Sequence, residues 1–382
     1  MKQKLLITII IVFNILFLSG CWNYREVNRL AIVGGLAIDK DEALGGYKLT
    51  IEVMKSVPGD TGGGRVQSDI YEIRGKTIFD AVRNFVIKLG RRTYWSHAKV
   101  VIIDSNIAEK DIVPVLDWLY RDAGIRRDIY ILISKGHTAG ELLKTDTGLD
   151  DTTSFHLVSI LQSQKSIYKY PETELWQVVE VISRKEKSIL VPIVQLAEGE
   201  RKPSEVRGSA IFQGDKVIGY LNEEDTRNVL WINGELKQGL FVVKNIENTN
   251  NDITFEVFNN KVKPKVEIDG DNVKVEVKIK TIVNIAELSG ELNFQNENIR
   301  KRIEESGAEA LKKSLTGTVK KLQKDYGKDV FKFSTALEIQ QQKTWKKLKP
   351  KWEEEFRLAE VNVEVDMHIK GSAVASKAIK GE

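Results

Sequence analysis

The chain has 382 residues, 42% hydrophobic and 29% charged, with a formal net charge of +4. That apolar share excludes wholesale disorder, and the length asks for two or three cores rather than one. A near-balanced charge disfavours nucleic-acid binding, and a single cysteine, Cys21, excludes internal disulfides and thiolate metal sites.

Residues 1–20 read as an export leader. Lys2 and Lys4 give a basic end, an apolar run from Leu5 to Leu18 is broken only by Thr8 and Asn14, and the segment closes with Leu18-Ser19-Gly20-Cys21. The run is too short to span about 30 Å of hydrocarbon comfortably. Small residues followed by a cysteine are instead the features of a lipoprotein cleavage site. Cys21 is therefore the expected lipidation site, carrying an S-diacylglycerol and an N-acyl group. Two acyl chains suffice for stable anchoring, because each buried methylene contributes about 0.8 kcal/mol. No later segment reads as a membrane span, so the expected mature protein is a tethered body whose charge is about +2 once Lys2 and Lys4 are gone.

Residues 21–29 form a lipidated lead-in, and residues 30–200 are expected to form an N-terminal α/β domain. Strands are expected at 30–39 and 47–55, joined at Gly45-Gly46, and at 66–74 after a glycine-rich loop at 58–65. Residues 77–89 place Ile78, Phe79, Val82, Phe85, Val86 and Leu89 on one helical face. Buried strands follow at 99–104 and 128–134, with one helix over 107–120 between them. Residues 137–187 read as a helical subdomain with a polar break at 148–151, and 188–196 as a strand. The polar stretch 198–205, with its Gly and Pro, is the expected domain boundary.

The C-terminal domain, 206–371, has a different rhythm. A hairpin is expected around Gly214-Asp215. Asn222 is a good helix N-cap, with Glu223, Glu224 and Asp225 where the helix dipole favours acids. Strands at 240–245, 253–262 and 273–285 precede a long helix over 297–326. Its apolar stripe runs Ile299, Ile303, Leu311, Leu315, Val319, Leu322 and Tyr326. A Lys- and Trp-rich helical segment, a strand at 360–369 and a loose tail at 372–382 complete the chain. The fold class is α+β and multidomain, with mixed β-sheets and packed helices. The C-terminal domain is a largely antiparallel sheet against the long amphipathic helix.

The sequence offers little chemistry. His97, His137, His156 and His368 are scattered without metal-ligand spacing, and His97 reads as a hydrogen-bonded structural residue. Gly59–Gly64 lacks the ending of a phosphate loop, Asp269-Gly270-Asp271-Asn272 lacks the glutamate of a calcium loop, and no serine sits in a nucleophile elbow. No catalytic residue, metal or cofactor is expected. Five lysines surround Trp345 and Trp352 over 343–352. That composition suits a membrane interface or an anionic partner, but the following Glu353-Glu354-Glu355 favours inward-packed tryptophans with solvated lysines.

Several motifs carry a resemblance. Cys21-Trp22-Asn23-Tyr24-Arg25-Glu26, Trp95-Ser96-His97-Ala98-Lys99-Val100-Val101, and Arg121-Asp122 with Ile125-Arg126 and Ser134-Lys135-Gly136 are three of them. The fourth runs from Gly208 through Gly219-Tyr220-Leu221-Asn222-Glu223-Glu224-Asp225-Thr226-Arg227 to Leu230-Trp231, and the fifth is Trp345-Lys346-Lys347-Leu348 with Trp352. Over nearly its whole length the chain resembles the Ger(x)C family, the C-subunit lipoproteins of nutrient germinant receptors in endospore-forming bacteria. It departs from the family pattern at Asn23, where the family has Asp, and at Gln342-Lys343-Thr344, where the family has Tyr-Pro before the tryptophan. The resemblance implies a non-enzymatic subunit on the outer face of the spore inner membrane, working with two integral-membrane subunits and held by Cys21. The competing expectation is a lipid-anchored solute-binding protein that captures a nutrient ligand directly, which would need a concave pocket with convergent polar groups.

Overall fold

The computed structural model describes residues 29–372 apart from 59–63, 149, 185–186, 247–250, 270–271 and 290–295, together with Gln3 and Glu26. The expectations placed on the rest of the leader, on Cys21, on residues 59–63 of the glycine-rich loop and on the tail from 373 lie outside the described residues, while Pro58 and Gly64-Arg65 belong to strands.

The first sheet begins as an antiparallel meander of β1 (Leu30–Asp41), β2 (Gly46–Pro58) and β3 (Gly64–Gly75). Next to β1, β4 (Arg92–Tyr94) and β5 (Val100–Ile103) run parallel to it. Two more parallel strands, β6 (Tyr130–Ser134) and β7 (Ser188–Leu196), extend the sheet, and β8 (Ser204–Gln213) and β9 (Lys216–Leu221) close it antiparallel. Among the described residues the order is β3-β2-β1-β5-β6-β7-β8-β9, with β4 on β1. Parallel neighbours need crossover connections, and these place helices on both faces. Val101, Ile103, Ile131 and Ile133 point to one face, under α1 (Ile78–Leu89), α2 (Ser105–Lys110), α3 (Val113–Arg121) and α7 (Leu175–Ile182). Val100, Ile102 and Leu132 point to the other, under α4 (Ala139–Leu143) and α5 (Thr153–Gln162), which leads into α6 (Gln164–Ile167).

One feature differs from the sequence reading, and a second adds to it. The single helix expected over 107–120 is two, because Pro114 sits in the first turn of α3 and Asp111 Oδ1 accepts the Val113 amide at 2.9 Å. Proline lacks the amide a continuing helix needs and is favoured at a helix start. The polar stretch at 198–205 joins two paired strands, with Leu196 opposite Ser204, so the first sheet continues across it to Leu221.

The second sheet follows α8 (Glu223–Ile232). Its strands are β10 (Gly239–Ile246), β11 (Asn251–Asp269), β12 (Asn272–Leu288) and β13 (Glu360–Ser372), in that order. The pairs are antiparallel except β12–β13, which is parallel. Against this sheet lies α9 (Glu297–Asp325), unbroken at Gly307 and Gly317, followed by α10 (Phe333–Gln340), α11 (Gln342–Leu348) and α12 (Trp352–Leu358). Ile303, Leu311, Leu315, Val319 and Leu322 are buried as the stripe requires. Gly307 lets helix and sheet approach, since a Cβ there would lie 2.8 Å from Met367 Sδ. Running well past the expected 253–262, β11 has no β10 neighbour beyond Val257, and its exposed edge there is met by side chains. Gln340 donates to the Pro264 carbonyl at 2.7 Å, and Gln341 donates to that of Val266 at 3.0 Å.

Three buried carboxylates organise the helix starts. Asp39 on β1 accepts the Ala139 and Gly140 amides of α4 at 2.7 and 3.0 Å. Glu52 on β2 accepts the Thr153 and Ser154 amides of α5 at 2.8 and 3.0 Å. Asp329 accepts the amides of Phe331, Phe333 and Ser334 and the Trp352 indole N–H, all within 3.2 Å. Burial pushes the carboxyls of Asp39 and Asp329 up, and the donors pull them back. The first turn of a helix has no internal partners for its amides, so each buried start needs an outside acceptor.

Asp329→Ala orphans four buried donors. It is expected to lower stability by about 3–5 kcal/mol in urea unfolding. Asp366→Ala, which removes an exposed carboxylate paired only at 3.5 Å with Lys280, should stay within about 0.5 kcal/mol of the parent.

Candidate functional site

The one residue expected to carry a covalent role, Cys21, lies outside the described residues. The four histidines stay apart. His97 and His137 are exposed, His156 Nδ1 lies 2.9 Å from Asp150, and His368 Nδ1 lies 3.1 Å from Glu304. His97 is not the hydrogen-bonded residue expected from sequence, since its ring rests beside Tyr94 at 5.6 Å on the surface. Among the described residues no cluster of His, Cys, Asp and Glu could hold a metal. In the lysine-rich segment the tryptophans do pack inward, with Trp345 and Trp352 buried edge to face at 5.6 Å and the neighbouring lysines exposed.

The motif residues of the first sheet are mostly structural. Trp95 is buried edge to face against Trp118, Ser96 Oγ donates to the Gly124 carbonyl, and Asp122 accepts the Gly124 amide. The motif around α8 is different, because it places charge where two halves of the chain meet. Asn222 caps the helix by accepting the Asp225 amide at 2.8 Å. Gly219 lies under the Tyr326 ring, where a Cβ would come within 2.1 Å of it.

One side of α8 is locked. Asp225 accepts from Thr318 Oγ1 at 3.0 Å and from Lys321 Nζ at 2.5 Å. Asn228 donates to Ser314 Oγ and Thr318 Oγ1 at 2.9 Å each, and the Trp231 indole donates to Asn260 at 3.1 Å. This ties α8 to α9 and to β11 through buried polar groups that each have partners, the condition under which such groups specify one arrangement. The side-chain hydrogen bond to Asp225 lifts the Lys321 ammonium above its ordinary value.

The other side of α8 opens on a groove of about 530 Å³, walled by β10, α9 and the chain after α6. Arg227 stands in it, only 18% exposed, with its guanidinium 5.8 Å from the Phe241 ring centre. Its Nη2 lies 3.8 Å from Glu224 and 3.4 Å from Asn228 Oδ1, while its buried Nε has no acceptor among the described residues. Burial holds this guanidinium below the ordinary arginine value, and Glu224 opposes the shift. Lys169 and Lys244 also line the groove, along with Glu223 and Glu224. Glu223 is taken by Arg207 at 2.6 Å and Lys169 at 3.1 Å. The arrangement can receive an anion at Arg227 beside an apolar wall. Sequence reasoning had Arg227 only as part of a motif. Lys169 and Lys244 lie at distant chain positions, and no local pattern announces their meeting.

Two family patterns cover most of the chain. That of the spore germination protein N-terminal domain matches residues 23–196, and that of the spore germination B3/GerAC-like C-terminal domain matches 207–373. Spore germination protein KC of Bacillus subtilis is 23% identical, covering 100% of this chain and 98% of its own. Spore germination protein B3 of the same organism is 26% identical over 94% and 95% of the two chains. Spore germination protein GerQC of Bacillus cereus is 24% identical over 84% and 86%. The crystal structure of the GerBC protein shares the fold, with a TM-score of 0.55, 22% identity, and coverage of 88% of this chain and 97% of that one.

Replacing a largely buried cation whose Nε lacks an acceptor by an apolar chain of similar length removes a desolvation cost. Arg227→Met is expected to raise the stability of the free chain by about 1 kcal/mol, read as a shifted denaturant midpoint at unchanged slope.

Proposed function

The chain belongs to the GerAC-like spore germination family, and from that membership we propose that it is the lipid-anchored, non-enzymatic subunit of a nutrient germinant receptor. In this reading it sits on the outer face of the spore inner membrane and assembles there with two integral-membrane subunits. The observation that carries the reading is the span of the family match, which begins at residue 23, two residues after Cys21, and runs in two parts to residue 373. Among the described residues no helix is long and apolar enough to cross a membrane. Attachment in this reading rests on the acyl chains at Cys21. A tether raises the effective concentration of a neighbouring partner to about the millimolar range, so a modest interface suffices.

Spores carrying Cys21→Ala are expected to lose the protein from the membrane fraction and to respond poorly to nutrients, measured by the fall in optical density on germination. Normal germination with a mislocalised product would refute the anchoring role. Calorimetric titration of the chain with amino acids and sugars is expected to give no saturable heat; clear saturation would favour direct nutrient capture instead.

A further inference from the structure

The edges of the second sheet are not treated alike. On β13 the solvent-facing positions are Glu360, Asn362, Glu364, Asp366, His368 and Lys370, the charged dressing that keeps an edge from pairing. Beyond β10, the open flank of β11 carries Pro264 and is occupied by Gln340 and Gln341. On β10 the guards sit at the ends, since Gly239 lies against Tyr168 and Lys244 precedes a register break before Ile246, which leaves Leu240 to Val243 between them. The strand has β11 on one side and, among the described residues, no strand on the other. Its outward residues Leu240 and Val242 are 46% and 51% exposed. Five consecutive residues of this edge, 240–244, line the groove that holds Arg227.

We propose that β10 is a docking edge, on which an extended segment of a receptor partner adds as a further strand, with an acidic side chain of that segment seated on the Arg227 guanidinium. The proposal rests on the receptor reading above for the existence of the partner, and it assigns that partner a surface. Edge pairing supplies affinity through main-chain hydrogen bonds, while side-chain positions beside the edge supply selectivity. A carboxylate approaching Arg227 provides the acceptor that Nε lacks. The charge balance agrees: Glu223 is paired with Arg207 and Lys169, which leaves Arg227 and Lys244 facing Glu224 in the groove. A small solute would leave most of the open edge unpaired, whereas an extended segment of four or five residues matches it.

The test uses the full-length chain in membranes with both integral-membrane subunits tagged, and measures how much of it is recovered with them after detergent extraction. Val242→Lys is expected to cut recovery at least tenfold. Arg227→Gln should cut it about tenfold, with a larger loss at low salt. Ile339→Lys, at an equally accessible site on α10 (79% exposed), should leave recovery unchanged. Melting curves of Val242→Lys and Ile339→Lys should match the parent and that of Arg227→Gln should be no lower, which separates lost docking from lost folding. Hydrogen exchange in the wild-type complex should show amides within 240–244 slowed at least tenfold. Undiminished recovery of Val242→Lys or Arg227→Gln, unslowed β10 amides in the complex, or a second copy of the chain on this edge would each overturn the proposal. If the wild-type chain is recovered with neither subunit, the receptor reading itself falls, and the docking edge with it.

Discussion

A helix that starts against a sheet brings amide donors into a place where water cannot reach them, and this chain answers with carboxylates set on other elements. Asp39 and Glu52, on adjacent strands, hold the starts of α4 and α5, and Asp329 holds the start of α10 together with the indole of Trp352. Each carboxylate needs the helix as much as the helix needs it, because either alone is a buried polar group without a partner. The second face of the first sheet is therefore assembled by mutual need: α4 and α5 cannot dock in another register without leaving Asp39 and Glu52 bare. The hydrophobic cluster beneath them fills space, but it would tolerate sliding that the carboxylates do not.

The same logic at α8 has two outcomes. Towards α9 every polar group is met, and the helix is fixed through Asp225, Asn228 and Trp231. Towards β10 Arg227 is left with an unmet donor beside an exposed strand edge. A helix held rigidly on one side presents its other side at a defined position, which is what a recognition surface requires. The locked side and the open side belong to one ten-residue element.

What the sequence made legible follows from the range of the forces involved. Strands β5 and β6 were readable because both faces are buried and the residues are apolar without alternation. The capping of α8 by Asn222 and the stripe of α9 were readable because their partners lie within a few residues. The break between α2 and α3 needed more weight on Pro114 than on the apolar spacing around it. The roles of Asp39 and Glu52 were invisible, since their partners are about 100 positions away. The candidate groove was invisible for the same reason: Lys169, Arg227 and Lys244 share no local pattern. Cys21 is the reverse case, with a role legible only in sequence.

The parallel placement of β13 beside β12 sets an order on the making of this protein. Synthesis runs from the amino end, so the first sheet and β10 through β12 all emerge before the strand that shields the far side of β12. Until residues 360–372 arrive, Val275, Val277 and Ile279 lack their neighbour, and Gly307 faces no Met367. A premature stop near Trp352 would deliver a chain with every element of the first sheet and an incomplete second one. A chain that ends before residue 360 leaves the alternating strand β12 with an open edge, a site for aggregation or proteolysis.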